Sequence, residues 1–275
     1  MTYSIAITGK GGVGKTTVAA VVVSRLLARG CSPVLAVDAD PNSCLDAALG
    51  VAVGKSIGAV REEARQIAGK GMAAGVTKQQ LLELKIAESL VEADGFDLLA
   101  MGRPEGPGCY CYANNVLREA IGQISASYPF VVIDNEAGLE NLSRRIVRKV
   151  ELMVMVADPS RRGLATIERL FDLAGEMETK FDRLAIVINR LRRDTLPEGV
   201  EALRARTGAD FIIGLPDDAD LAALDEAGSA VWNLPADNPV VAGIDRFLRD
   251  AGLGDCPLFP SLSSEKGDCP PRAEA

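Results

Sequence analysis

Residues 9–17 read "GKGGVGKTT" and follow directly on the apolar run "YSIAIT" (3–8). A strand that breaks into glycines and then into a helical pattern (15–29) leaves the chain little choice of local fold. The glycines let main-chain N–H groups close around an anion without Cβ clashes, and the helix start adds the positive end of its dipole. The stretch satisfies G-x-x-x-x-G-K-[ST] in the strand–loop–helix setting that a phosphate-binding loop requires. Gly11, Gly12, Val13, Gly14, Lys15, Thr16 and Thr17 are therefore the nucleotide-binding candidates. Within that set Lys15 would reach the outer phosphates and the Thr16 hydroxyl would hold magnesium.

Short runs rich in Val, Ile and Leu recur along the chain: "YSIAIT" (3–8), "PVLAVD" (33–38), "FDLLAM" (96–101), "FVVID" (130–134), "LMVMVA" (152–157), "LAIVIN" (184–189) and "FIIGLP" (211–216). Helical spacing fills the gaps at 15–29, 78–93, 115–127, 140–149, 163–178, 198–206, 217–227 and 239–251. Nearly continuous apolar strands alternating with amphipathic helices predict an α/β, doubly wound fold, with a mostly parallel central sheet and helices on both faces. In such folds ligands bind at the carboxyl ends of the strands. Two strand ends carry carboxylates suited to positioning magnesium and an attacking water: Asp38 and Asp40 in "VDADPN" (37–42), and Asp134 in "VVIDNEAG" (131–138).

With 275 residues, 48% of them hydrophobic, one large core is expected, and residues 1–253 read as a single P-loop domain. Residues 254–275, dense in Pro, Ser and charge, read as a disordered tail. No apolar run of eighteen residues and no signal-peptide pattern is present, which predicts a cytoplasmic protein. The net charge of −8 argues against coating nucleic acid or an anionic membrane. The densest basic stretch, "LSRRIVRKVE" (142–151), reads as a solvated helix face. Histidine is absent, so imidazole catalysis and every histidine-containing metal site are excluded.

Six cysteines in a reducing compartment do not make a disulfide framework. Cys31, after a helix-ending glycine, and Cys44, in the apolar-patterned "NSCLDAALG", read as packing residues. Cys256 and Cys269 in the tail read as incidental thiols. Cys109 and Cys111 differ, because "GPGCYCYANN" (106–115) sets two thiols one residue apart. Flanking Gly-Pro-Gly and the polar Asn114 and Asn115 do not look like core, and redox dithiols usually take Cys-x-x-Cys. Two thiolates can chelate a soft or borderline metal, yet a tetrahedral shell wants four ligands.

Lys10, a second lysine inside the phosphate loop, carries a resemblance. The pattern K-G-G-x-G-K-T-T resembles the deviant Walker A motif of the ATPase class that contains the nitrogenase iron protein, the Min-system ATPase and the chromosome-partition ATPases. That resemblance implies ATP and magnesium as ligands and a homodimer in which Lys10 reaches the partner's nucleotide. It also makes Lys10, Lys15 and Asp40 the catalytic candidates, with Asp40 orienting water and Asp38 and Asp134 acting around magnesium with Thr16. Asn189 in "VINR" matches the position that reads the adenine edge, with "GLPDD" (214–218) nearby. Within the class, "KGGVGKTT", "MGRPEGPGCYCYANN" (101–115) and "DNEAGLENLSRR" (134–145) resemble the CooC-type ATPases. This narrower resemblance spans roughly residues 1–250. It implies nickel, with zinc possible, held by Cys109 and Cys111 of two chains at the dimer interface, and carbon monoxide dehydrogenase as client.

Two other readings compete. An electron-transfer ATPase resembling the nitrogenase iron protein would take its cluster cysteines from positions far apart in sequence, and "VVIDNEAG" has none near its strand. A positioning ATPase would want a basic amphipathic C-terminal helix, whereas "DNPVVAGIDRFLRDAGLGD" is nearly balanced in charge.

Overall fold

A computed structural model describes residues 2–42, 44–70, 77–102, 121–136 and 149–253. Eight strands form one sheet: β1 (Tyr3–Gly9), β2 (Val34–Asp38), β3 (Val91–Glu92), β4 (Phe96–Ala100), β5 (Phe130–Asp134), β6 (Val150–Ala157), β7 (Phe181–Leu191) and β8 (Phe211–Pro216). Their order is β3-β4-β2-β5-β1-β6-β7-β8, and every pairing is parallel except that of β3 with β4. The α/β doubly wound fold expected from the sequence is thus observed. The chain winds outward from β1 to one side through β2 and β4, then returns and winds to the other through β6, β7 and β8. The crevice at the carboxyl ends of β1, β2 and β5 lies where that direction reverses.

Alternating strand residues feed two cores. Ile5, Ile7, Val34, Ala36, Val132, Leu152, Val154 and Val156 pack against α1 (Lys15–Ala28), α2 (Leu45–Leu49) and the last described helix, Pro239–Asp250. Ala6, Leu35, Val37, Val131, Ile133, Met153 and Met155 face α3 (Ile57–Lys70), α4 (Lys78–Ala87), and the helices Arg161–Glu176 and Val200–Thr207. Being covered on both faces is what makes these strands apolar at successive positions instead of alternating with polar residues.

All seven expected strands are present, with shifts at their ends. The helix expected over 78–93 stops at Ala87, and Val91–Glu92 pairs antiparallel with Asp97 and Leu98. Asp94-Gly95 is the cause: Gly95 takes φ 79° and Ala93 N–H donates to Phe96 O, so the segment turns as a hairpin. Helices α2 and α3 were not expected from the sequence. The helix expected at 115–127 is seen over 121–126, the described part. That expected at 140–149 lies outside the described residues except for Lys149, which is not helical and leads into β6. Cys31 is buried as expected, whereas Cys44 is exposed, which corrects its reading as a packing residue: it stands at the N-cap of α2, outside the core that Leu45 and Leu49 enter.

Candidate nucleotide site

Gly9 leaves β1 so close to β6 that a Cβ there would lie 2.2 Å from Val156 O. The loop then rises exposed through Lys10, Gly11 and Gly12 and drops into α1 at Gly14, whose φ of 90° and tight fit against the Asn189 side chain both demand glycine. Lys15, the first residue of α1, is buried, and its Nζ donates to Lys10 O at 3.3 Å. The ammonium is thus folded across the mouth of its own loop, held by a neutral carbonyl. A phosphate oxygen, offering a charge-assisted bond, outcompetes such a partner.

At the next residue, Thr16 Oγ1 donates to Asp134 Oδ2 at 2.6 Å. Asp134 is buried at the end of β5, and its other oxygen, Oδ1, has no protein partner. Burial pushes its carboxyl up to about 7; the Asp38 and Asp40 carboxylates add to the rise, while the Thr16 hydrogen bond and Lys15 oppose it. A buried carboxylate oxygen without a donor, beside a hydroxyl, is a hard-oxygen set that fits magnesium. Thr16 and Asp134 would hold it, directly or through water.

Asp38 is tied into the backbone of the loop that follows it. It is fully buried, Oδ1 accepts from Asp40 N–H at 3.0 Å and Oδ2 from Leu45 N–H at 3.0 Å. Burial raises its pKa, against these backbone bonds. Both oxygens shape the loop between β2 and α2, which presents Asp40 at the rim. There Asp40 Oδ1 accepts from the backbone N–H of Asn42 at 2.8 Å and from its Nδ2 at 3.1 Å, and the carboxylate stays half-exposed. Asp40 is thus accessible to solvent, and Asp38 braces the loop that carries it.

Asn189 Nδ2 donates to Val13 O at 2.9 Å, so its amide is engaged with the phosphate loop, and its adenine-edge role would use the rest of the carboxamide. Asp218 in "GLPDD" caps the helix Ala219–Ala227 through Leu221 N–H and accepts from Asn238 Nδ2. Lys10 lies near Asp158, which is held below the ordinary carboxylate range by its hydrogen bonds with Ser160, with Lys10 adding to the effect. Two residues that sequence reasoning missed also meet this site. Asn135 is buried and donates through Nδ2 to Ile7 O at 3.0 Å, and Arg190 Nη1 donates to Gly12 O at 3.1 Å. No motif marks either one, apart from its place beside Asp134 or Asn189. Cys109 and Cys111 lie outside the described residues. Among the described residues no group of three or more Cys, Asp or Glu could hold a metal ion, and no helix is long and apolar enough to cross a membrane.

Comparison with known proteins accords with this geometry. Residues 4–231 match the CbiA family model, the CobQ/CobB/MinD/ParA nucleotide binding domain. The chain is 43% identical over 246 residues to an ATP-binding protein of Methanocaldococcus jannaschii, covering 89% of this chain and 96% of that one. It is 30% identical over 245 residues to the carbon monoxide dehydrogenase accessory protein CooC of Rhodospirillum rubrum, covering 84% and 89%. In fold it is similar to the MinD cell division protein of Aquifex aeolicus, with a TM-score of 0.65 at 22% identity over 94% of this chain and all of that one. MinD of Pyrococcus horikoshii, solved with Mg-ADP, gives 0.65 at 20% identity over 93% of this chain and 100% of that one. The chain belongs to the CobQ/CobB/MinD/ParA nucleotide-binding family, and it is an ATPase of the MinD/ParA class.

Proposed function

We propose that this ATPase is a dimeric metallochaperone that takes nickel at Cys109 and Cys111 and couples ATP hydrolysis to maturation of the nickel–iron–sulfur cluster of a carbon monoxide dehydrogenase. The observation that carries the reading is one chain holding both Lys10 in its phosphate loop and a Cys-x-Cys pair, with 30% identity to a carbon monoxide dehydrogenase accessory protein. Each chain offers two soft ligands, a thiolate-bound metal wants four, and a two-fold axis supplies the missing pair.

The roles divide by position. The loop N–H groups from Gly11 to Gly14 and the Lys15 ammonium bind the phosphates. Thr16 and Asp134 hold magnesium, which when bound neutralises charge on the phosphate oxygens. Asp40, presented by Asp38, orients the attacking water. Lys10, exposed at the loop tip, crosses to the nucleotide of a second copy. Nickel is cargo in this scheme, and the same thiolates accept zinc.

Metal titration of the full chain, with molar mass measured in parallel, tests the reading. One nickel per two chains is expected, lost in Cys109→Ser and Cys111→Ser while ATP binding persists. Saturation at one ion per chain, or unchanged nickel affinity in the double variant, rejects the shared site. Iron and sulfide in the purified protein would instead support an electron-transfer ATPase.

A further inference from the structure

Consecutive residues of a regular strand send their side chains to opposite faces of the sheet, yet Asn189 and Arg190 reach the same loop. Asn189 Nδ2 donates to Val13 O at 2.9 Å and Arg190 Nη1 donates to Gly12 O at 3.1 Å. The pairing of β7 with β8 explains how. Ile188 pairs with Gly214 and Leu191 with Pro216, so Asn189 and Arg190 together stand opposite Leu215 alone. The extra residue is a β-bulge, and bulges beside functional sites re-aim a side chain. Arg190 takes a φ of 61°, in the left-handed region that a residue with a Cβ enters only at a cost. Such backbone strain persists where surrounding structure enforces it, and it clusters at functional sites.

What the two side chains grip matters. A trans peptide is planar, with its C=O and N–H pointing in opposite directions. The Gly12 carbonyl shares a plane with the Val13 N–H, and the Val13 carbonyl shares one with the Gly14 N–H. Pinning these two carbonyls toward β7 turns the two N–H groups away from it, toward the interior of the loop, where a phosphate would be bound.

We propose that Arg190 is a positioning residue of the nucleotide site: from the β7 bulge it fixes the Gly12–Val13 peptide so that the Val13 N–H faces the phosphates, as Asn189 fixes the next peptide. The inference rests on the nucleotide site described above and assigns Arg190 to the polyphosphate, not to the base. The bulge exists so that two adjacent residues can hold two adjacent peptides.

Arg190→Gly tests this without sacrificing the fold, because glycine takes the observed φ freely and the relief offsets its added freedom in the unfolded chain. MgATP and inorganic tripolyphosphate are titrated separately into the full chain. Arg190→Gly should weaken both by a similar factor, about five- to tenfold for one lost hydrogen bond. Arg190→Lys, which restores a donor, should recover most of the loss. KM for MgATP should rise by more than kcat falls, since loop geometry serves ground and transition states alike. Unchanged tripolyphosphate affinity in Arg190→Gly overturns the proposal. Loss toward MgATP alone also overturns it, placing Arg190 on the base or ribose. A wild-type chain that bound neither probe would sink the nucleotide site itself and the proposal with it, a result distinct from the other two.

Discussion

The Thr16 hydroxyl donates at 2.6 Å to Oδ2 of Asp134, tying the first turn of α1 to the end of β5 across the floor of the phosphate site. The bond fixes one carboxylate oxygen and leaves Oδ1 buried without a protein donor. Leaving such an atom unmet costs about 1–3 kcal/mol, and a hydrated cation removes that cost.

Thr16→Ala should therefore uncouple nucleotide from magnesium. ADP affinity measured by calorimetry without magnesium should stay within about threefold of wild type, because the loop N–H groups and Lys15 are intact. The gain in affinity on adding magnesium should vanish, and kcat should fall by at least about 100-fold. Wild-type magnesium dependence in the variant would remove Thr16 from the metal site.

Asp38 and Asp40, two residues apart, should fail in opposite ways. Asp38→Ala strands the N–H of Leu45 in a buried setting, at about 1–3 kcal/mol for the unpaired donor, and leaves the part-buried N–H of Asp40 without its partner. Urea denaturation should show that loss. Asp40→Ala removes a half-exposed side chain, so stability should change by less than about 1 kcal/mol. Its MgATP affinity should hold while turnover drops about 100-fold or more, since water positioning matters in the transition state. Equal turnover in Asp40→Ala and wild type would take Asp40 out of the mechanism.

These contrasts show how far the sequence could be read. The phosphate loop was legible because glycine, lysine and threonine sit at fixed spacing, and the strands because burial on both faces makes them apolar throughout. What stayed hidden depends on three-dimensional pairing. Asp38 reads as a carboxylate acting around magnesium because it ends a strand beside Asp40, and only the fold reveals that both its oxygens also accept from backbone N–H groups. The β7 bulge is a mismatch between two strands, so no reading of "VINR" alone could put Arg190 on Gly12 O. The turn at Asp94-Gly95 was hidden by the helical spacing before it, which carries the expected helix through to residue 93. Helix α3 buries Ile57, Val60 and Ala64, a helical repeat weakened by the charged residues between them.

Stability should depend on pH through Asp245, far from the nucleotide. Burial disfavours its charge, but hydrogen bonds from Arg25 and Arg29 outweigh that and hold the carboxyl below its ordinary value of 3.8. A depressed folded pKa contributes stability above the unfolded pKa and loses it as pH falls through the folded one. Asp245→Asn should thus be less stable than wild type at pH 7 by about 1–2 kcal/mol. The gap in urea midpoints should narrow below about pH 4. A gap that is constant from pH 7 to pH 3 would assign the effect to packing instead of charge.

Lys10 is the residue whose prediction reaches furthest, because its partner is expected on another copy of the chain. It is exposed at the loop tip, and its charge helps hold down the pKa of Asp158 at the end of β6. Its main-chain carbonyl accepts from Lys15 Nζ, a bond that leaves the Lys10 side chain uninvolved. Lys10→Ala should therefore keep MgATP affinity within about threefold, the loop N–H groups and Lys15 being unaltered. A cation crossing to a developing phosphate charge contributes about 10³-fold or more to turnover in comparable phosphoryl-transfer sites. The variant should accordingly stay monomeric by light scattering in saturating MgATP and hydrolyse it at a small fraction of the wild-type rate. Mixing Lys10→Ala with an excess of Asp40→Ala separates action in trans from action in cis. Each chain of the heterodimer lacks a different group, and one of its two sites receives Lys10 from the partner while keeping its own Asp40. Recovery of turnover in the mixture, from two variants each nearly inactive, is the expected result. No recovery, with heterodimers demonstrated by molar mass, would place Lys10 on the nucleotide of its own chain.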